Sequence, residues 1–98
     1  MLREVKWSPR AIHEWVEILE YWKNRNKSDT YSLKLDRLIQ EALDRIAKSP
    51  EHSKATDESP LVRVKIFRDY LIYYRIQPEY IDILAIWDSR RNPKKFKL

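Results

Sequence analysis

The fold is decided by residues 61–87, LVRVKIFRDYLIYYRIQPEYIDILAIW, in which apolar residues largely recur at every second position. A period of two is typical of strands that bury one face. Arg68–Asp69 and Pro78–Glu79 interrupt the pattern, and connections this short join antiparallel neighbours. We therefore predict an antiparallel meander of three strands, at 61–67, 70–77 and 80–87.

The first part of the chain follows a helical period instead. Ser8 and Pro9 form a typical helix start, in which a capping side chain precedes a proline at the first helical position. We predict a helix at 9–24, preceded by a short strand at 1–7. Apolar residues recur along the helix at the spacing of one face. The predicted buried stripe consists of Ile12, Trp15, Val16, Leu19 and Trp22.

A second helix is predicted at 28–48, with Ser28 as its cap and Pro50 as its stop signal. Residues 49–60 are polar and predict a loop. Residues 88–98 form a basic tail.

The element order is thus strand, two helices and three strands in one domain, residues 1–98. Neither the helices nor the sheet can bury an apolar side alone, so the helical hairpin should cover one face of a four-stranded sheet. The predicted fold class is α+β, with the other face of the sheet open.

Charge is distributed unevenly along the chain. The net charge is +5, and residues 1–59 carry eleven basic and eleven acidic side chains, so the whole excess lies in residues 60–98. Such an excess indicates an anionic partner, either nucleic acid or an acidic protein.

The composition argues against several kinds of protein. The chain has no cysteine and two histidines, which predicts neither a disulfide nor a metal site, and nothing in the sequence indicates a cofactor. No run of about 18 apolar residues and no signal-like start is present, so we expect no membrane association and a cytoplasmic location.

Two cations alternate with apolar residues in the first strand of the meander. Arg63 and Lys65 are two residues apart and so share a face. We expect this to be the open face, where Tyr73 or Arg75 of the next strand would join them.

Three stretches combine with this order of elements: Trp-Ser-Pro-Arg-Ala at 7–11, Asp-Tyr-Leu-Ile-Tyr-Tyr-Arg-Ile at 69–76 and Ile-Leu-Ala-Ile-Trp-Asp-Ser-Arg-Arg-Asn-Pro at 83–93. Together they resemble the RelE/ParE superfamily of toxins from type II toxin–antitoxin systems. The resemblance covers about the whole chain and implies the α+β fold described above.

The resemblance implies two different activities. RelE-like members enter the ribosomal A site and cut mRNA with basic residues on the sheet, whereas ParE-like members inhibit DNA gyrase. Both are held inactive by an antitoxin that wraps around them. The expected partners are therefore an acidic antitoxin and either the ribosome with its mRNA or DNA gyrase.

Part of the RelE-like catalytic pattern matches this sequence. Arg63 and Lys65 match its paired basic residues, and Arg90 matches an arginine after the last strand. The pattern fails where Leu71 replaces an arginine and Phe96 replaces a tyrosine. On this resemblance Arg63, Lys65 and Arg90 are the candidate catalytic residues, since cations stabilise a pentacoordinate phosphate.

Further basic and aromatic residues could grip a nucleic acid. The candidate nucleic-acid-binding residues are Arg75, Arg91, Lys94, Lys95 and Phe96. The general base stays open. Lys65 is one candidate, because a neighbouring cation disfavours its protonated form. Other candidates are Glu51, His52 and Glu58 of the loop.

The leading hypothesis from the sequence is a toxin that acts as a ribosome-dependent mRNA endonuclease. The first alternative is a gyrase inhibitor without nuclease activity, which the replacements at Leu71 and Phe96 favour. The second is a degenerate toxin that only binds its antitoxin.

Overall fold

The computed structural model describes residues 3–57, 59–91 and 93–98. It contains two long helices, five strands and two 3-10 turns, Pro50–His52 and Pro93–Lys95. The helices are α1 (Pro9–Asn26) and α2 (Thr30–Lys48). The strands are β1 (Glu4–Trp7), β2 (Lys54–Ala55), β3 (Val62–Phe67), β4 (Tyr70–Ile76) and β5 (Tyr80–Asp88). Among the described residues, no helix is long and apolar enough to cross a membrane.

The strands form one sheet in the order β1-β5-β4-β3-β2. The meander of β3, β4 and β5 is antiparallel as predicted, and β1 pairs in parallel with β5. The prediction of four strands was wrong by one, because β2 lies within the expected loop at 49–60. Lys54 and Ala55 pair with Val64 and Arg63. Two residues are too few to show a period, so the sequence pattern could not reveal this strand.

The hairpin between β3 and β4 fixes which residues share a face. Phe67 pairs with Tyr70 across the two-residue turn. Arg68 has a φ of 55° and stands at the first central position of the turn, where a type II′ turn requires a positive φ. The chain has no glycine to supply this backbone, and Arg68 adopts it instead.

The alternation of β4 defines the two faces of the sheet. Four of its side chains pack into the core beneath the helices, on what we call the helix face: Tyr70, Ile72, Tyr74 and Ile76. Leu71, Tyr73 and Arg75 alternate with them and lie on the opposite side, which we call the open face. Residues paired across strands share these faces.

A bulge in β5 reverses the alternation of that strand. Tyr74 pairs with Ile83 and Tyr73 pairs with Ala85, which leaves Leu84 without an opposite residue. Before Leu84 the odd-numbered residues of β5 face the helices, and after it the even-numbered ones do. Trp87 therefore lies on the open face, opposite Leu71.

Glu14 of α1 completes the hydrogen bonding of β5 next to this bulge. The paired part of β1 ends at Trp7, opposite Ile83. Beyond that point the Glu14 carboxylate accepts a hydrogen bond from the Ile86 backbone N–H at 3.0 Å. A helix side chain thus satisfies a strand donor that would otherwise lack a partner.

The two helices are joined by polar contacts as well as by packing. Trp15 Nε1 donates to Asp36 at 3.0 Å, and the Ser32 hydroxyl donates to the Leu19 carbonyl at 2.6 Å. α2 begins at Thr30 rather than at residue 28, although the Ser28 hydroxyl does accept the Thr30 N–H.

The predicted buried stripe of α1 was wrong in two of its five residues. Ile12 is 50% exposed and Val16 is 44% exposed, whereas Ala11 is fully buried. The helix is rotated so that small Ala11 lies against the sheet, which allows the close approach of α1 to β5. A pattern of apolar residues cannot show which edge of a broad stripe the sheet will cover.

Two leucines on α2 give a matched test of this packing. Leu35 is fully buried and Leu33 is 65% exposed. We expect Leu35→Ala to lower the free energy of unfolding by about 2–5 kcal/mol, because a cavity forms in the core. Leu33→Ala should change it by less than about 0.5 kcal/mol. Urea unfolding measures both, and equal losses would contradict the assigned buried face of α2.

Candidate functional site

Arg63 is bound to the segment that precedes β3. Its Nε donates to the Pro60 carbonyl at 2.8 Å, and its Nη1 donates to the carbonyls of Ser53 at 3.0 Å and Glu51 at 3.4 Å. Arg63 pairs with Tyr74, which lies on the helix face. The guanidinium therefore fastens residues 51–60 to the edge of the sheet.

Lys65 also lies on the helix face, because it pairs with Ile72. The expectation that Arg63 and Lys65 occupy the open face was therefore wrong, and Arg75 and Tyr73 do not join them. The two-residue turn at 68–69 fixes the register between β3 and β4 and so determines the face on which these two cations lie. A shift of one residue in this register would move every side chain of β3 to the other face.

Arg90 is engaged by a neighbouring carboxylate. Its Nε and Nη2 donate to the two oxygens of Asp88 at 3.0 and 2.8 Å, and its backbone N–H donates to the same group at 2.9 Å. The hydrogen bond from Arg90 lowers the pKa of Asp88, and the hydrogen bond to Asp88 raises the pKa of Arg90. The positive charge of Arg90 is thus largely compensated, although half of the side chain is exposed.

Two of the three candidate catalytic cations, Arg63 and Arg90, are held at different ends of β4. Arg63 stands opposite Tyr74, whereas Asp88, which holds Arg90, stands opposite Tyr70. Four residues of strand separate these positions, which is about 14 Å along β4. Lys65, opposite Ile72, lies between these two positions.

The open face carries an aromatic cluster that includes the end of the chain. The ring of Phe96 stacks on Tyr73, with centroids 4.4 Å apart and planes at 24°, and contacts Trp87 at 5.0 Å. We call the space between Tyr73 and Trp87 the aromatic slot. The Arg91 guanidinium lies over Trp87 at 4.5 Å. Phe96 is therefore packed within its own chain.

Arg10 of α1 holds the same tail, and the sequence reasoning missed it. Its Nη1 donates to the Lys97 carbonyl, and its guanidinium lies 5.3 Å from the centroid of the Phe96 ring. Its Nε also donates to Glu14 at 3.2 Å. No periodicity could indicate a contact between residues 87 positions apart in sequence.

The remaining predicted binding residues lie at several places. Arg75 is on the open face opposite Asp82. Lys94 and Lys95 lie exposed in the turn at 93–95, within the tail that leads to Phe96.

The candidate bases are not brought to a common point with the cations. Glu51 and His52 lie exposed in the turn at 50–52, and Glu58 is outside the described residues. Burial raises the pKa of Tyr70, Tyr73 and Tyr74, so these phenols are protonated at neutral pH. In the part of the chain that the structure describes, no three potential metal ligands cluster together.

A pocket of about 360 Å³ opens between α1 and the end of β5. It contains the Asp88–Arg90 ion pair and Tyr70, whose hydroxyl accepts a hydrogen bond from Trp22 Nε1 at 2.7 Å. Glu14 and Glu17 line its other wall. With carboxylates on both sides, the pocket is a poor site for a phosphate.

Comparisons with known proteins agree with this arrangement of helices and strands. A chain of the chromosomal ParDE toxin–antitoxin system from P. aeruginosa superimposes with a TM-score of 0.75 and 18% identity, over 91% of this chain and 98% of that one. The two chains thus share a fold. Residues 5–93 match the family model described as the ParE toxin of the type II toxin–antitoxin system parDE. The chain belongs to the ParE toxin family. Among curated protein sequences, none matches it.

The contacts of Arg63 predict a structural effect on mutation. Arg63→Ala removes three hydrogen bonds to carbonyls, and we expect it to lower the free energy of unfolding by about 1–2 kcal/mol. It should also accelerate amide hydrogen exchange in residues 49–60. Lys65→Ala is the matched control on the same strand and face, with an expected change below about 0.5 kcal/mol. Unchanged exchange in 49–60 would show that Arg63 does not fasten this segment.

The Asp88–Arg90 pair predicts a pH dependence of stability. Since the pKa of Asp88 is lowered in the folded chain, its stabilising contribution is complete above the pKa of an unfolded carboxyl, about 4. That contribution is lost as the pH falls through the folded value. Asp88→Asn should therefore flatten the acid side of the stability profile, measured by urea unfolding from pH 6 downwards, and exposed Asp57→Asn should not. Parallel profiles for wild type and Asp88→Asn would exclude this linkage.

Proposed function

We propose that this chain is a toxin that an antitoxin holds inactive and that acts in the cytoplasm by binding DNA gyrase, without cutting RNA. The family model supports the toxin assignment. The observation that favours gyrase over mRNA is that two of the three candidate catalytic cations have partners within the chain. Arg63 donates to loop carbonyls and Arg90 pairs with Asp88, so a phosphorane would have to compete with these contacts.

The placement of the candidate bases among the described residues, which leave out Glu58, adds to this argument. Cleavage of RNA by its own 2′-hydroxyl needs a base beside the cations. Glu51 and His52 lie in the turn whose carbonyls Arg63 binds, and neither forms a hydrogen bond with Lys65 among the described residues. Phe96 has no hydroxyl and is packed against Tyr73. Recognition of a protein surface needs none of these groups.

The antitoxin in this proposal is an acidic protein that covers exposed apolar side chains. A groove of about 250 Å³ lies where α1, α2 and β1 meet, lined by Trp7, Ile12, Trp15, Val16 and Gln40. Ile12 and Val16 are half exposed, which is unusual for two neighbouring apolar residues of one helix face. An amphipathic helix fits such a groove, and the net charge of +5 favours an acidic one.

Two assays with the purified chain separate the proposed activity from the alternative. We expect inhibition of gyrase-dependent supercoiling of relaxed plasmid, and intact mRNA after incubation with programmed ribosomes. We place Arg91, which is exposed beside the aromatic cluster, in the proposed gyrase interface, so Arg91→Glu should weaken the inhibition at least about tenfold by charge reversal. Arg25→Glu makes the same charge change at the far end of α1 and is the matched control.

Other results of these assays would contradict the proposal in distinct ways. New 3′ ends within the A-site codon, in parallel with an active nuclease control, would establish an mRNA endonuclease. Normal supercoiling together with intact mRNA would indicate a degenerate toxin that only binds its antitoxin.

A further inference from the structure

The end of the chain crosses the open face as a strap, which we define as residues 93–98. Its aromatic side chain Phe96 fills the aromatic slot between Tyr73 and Trp87. Arg10 fastens it by donating to the carbonyl of Lys97, the residue that follows Phe96. A ring in a slot and a bonded carbonyl one residue later are two contacts that any peptide with an aromatic residue can reproduce.

We propose that the aromatic slot is a docking site for an aromatic side chain of a partner protein, carried on an acidic segment, and that the strap closes it in the free chain. Arg10 holds the strap in this closed position through its hydrogen bond to the Lys97 carbonyl. The aromatic slot lies on the opposite side of the sheet from the groove lined by Ile12 and Val16. Its role as a docking site does not depend on whether the chain inhibits gyrase.

An open surface cleft of about 300 Å³ lies beside the strap. Its lining comes from β4, β5, the start of α1 and the strap itself: Ser8, Pro9, Arg10, Arg75, Leu84 and Leu98. Leu98 is 41% exposed at the end of the strap. The cleft leaves room for a peptide segment next to the aromatic slot.

A buried donor under the strap also lacks a partner. The indole ring of Trp87 is 8% exposed, and its Nε1–H has no acceptor among the described residues. Buried polar groups are normally paired, and a tryptophan N–H in particular usually finds an acceptor. A partner peptide that replaces Phe96 brings carbonyl or carboxylate oxygens that can accept this hydrogen bond.

The charge around the slot selects the kind of peptide. Arg10 and Arg91 lie against the aromatic rings, and Arg75 lies on the same face. Arg10 and Arg75 each face one acid of their own chain, Glu14 and Asp82, and the three arginines together still favour an acidic segment over a basic one. The strap itself carries Lys94, Lys95 and Lys97, so its own charge opposes closure. An acidic competitor therefore has an electrostatic advantage that the strap lacks.

The probe for this proposal is an acetylated, amidated peptide of sequence Glu-Asp-Phe-Asp-Glu, with binding followed by NMR shifts of Tyr73 and Trp87. We expect Phe96→Ala to bind it at least about tenfold more tightly than wild type, because the competing ring is gone. Leu33→Ala, at an exposed position of α2 away from the slot, should bind as wild type does. A peptide with alanine in place of phenylalanine should not bind, and added salt should weaken the complex.

A second measurement needs no variant and guards against a folding defect in Phe96→Ala. Excess peptide added to the wild-type chain should lift the strap and accelerate the release of Leu98 by carboxypeptidase. Unchanged release, equal binding to wild type and Phe96→Ala, or equal binding of the alanine peptide would each overturn the proposal. Tighter binding of a short oligothymidine than of the peptide would also overturn it, because the slot would then accept a nucleobase.

Discussion

The alternation of side chains along β4 is the constraint on which the rest of the structure depends. Tyr70, Ile72, Tyr74 and Ile76 must lie together under the helices, and this leaves Leu71, Tyr73 and Arg75 on the other side. The turn at 68–69 fixes the register of β3 against β4, so the side chains of β3 alternate between the same two faces. The bulge at Leu84 reverses the alternation within β5. The placement of Arg63, Trp87 and Asp88 follows from these three facts.

The bulge has the largest effect on the surface of the molecule. Without it, Trp87 would face the helices and Asp88 the open face. With it, Trp87 joins Tyr73 to form the slot that Phe96 fills, while Asp88 turns towards Tyr70 and holds Arg90. Glu14 satisfies the Ile86 N–H beside the bulge and also binds Arg10, which in turn binds the strap. The strand irregularity and the fastening of the chain's end are thus parts of one network.

The same network bears on how members of one superfamily can differ in activity. Cations that match a nuclease pattern in sequence have structural partners here, carbonyls for Arg63 and a carboxylate for Arg90. A cation that already has partners in its own chain must give them up to stabilise a developing phosphorane charge. Basic and aromatic side chains on an open sheet are equally suited to protein recognition, for which no proton transfer is required.

The sequence by itself determined the element order, the antiparallel meander, the helix start at Ser8-Pro9 and the α+β class, because each depends on local periodicity and capping. The hairpin register was also within its reach, since the two-residue turn pairs Phe67 with Tyr70 and so places Arg63 on the helix face. Only the tertiary structure decided the short strand β2, the rotation that exposes Ile12 and Val16, the bulge at Leu84 and the contact of Arg10 with the strap. These depend on how separate elements fit against one another, and no local pattern carries that information.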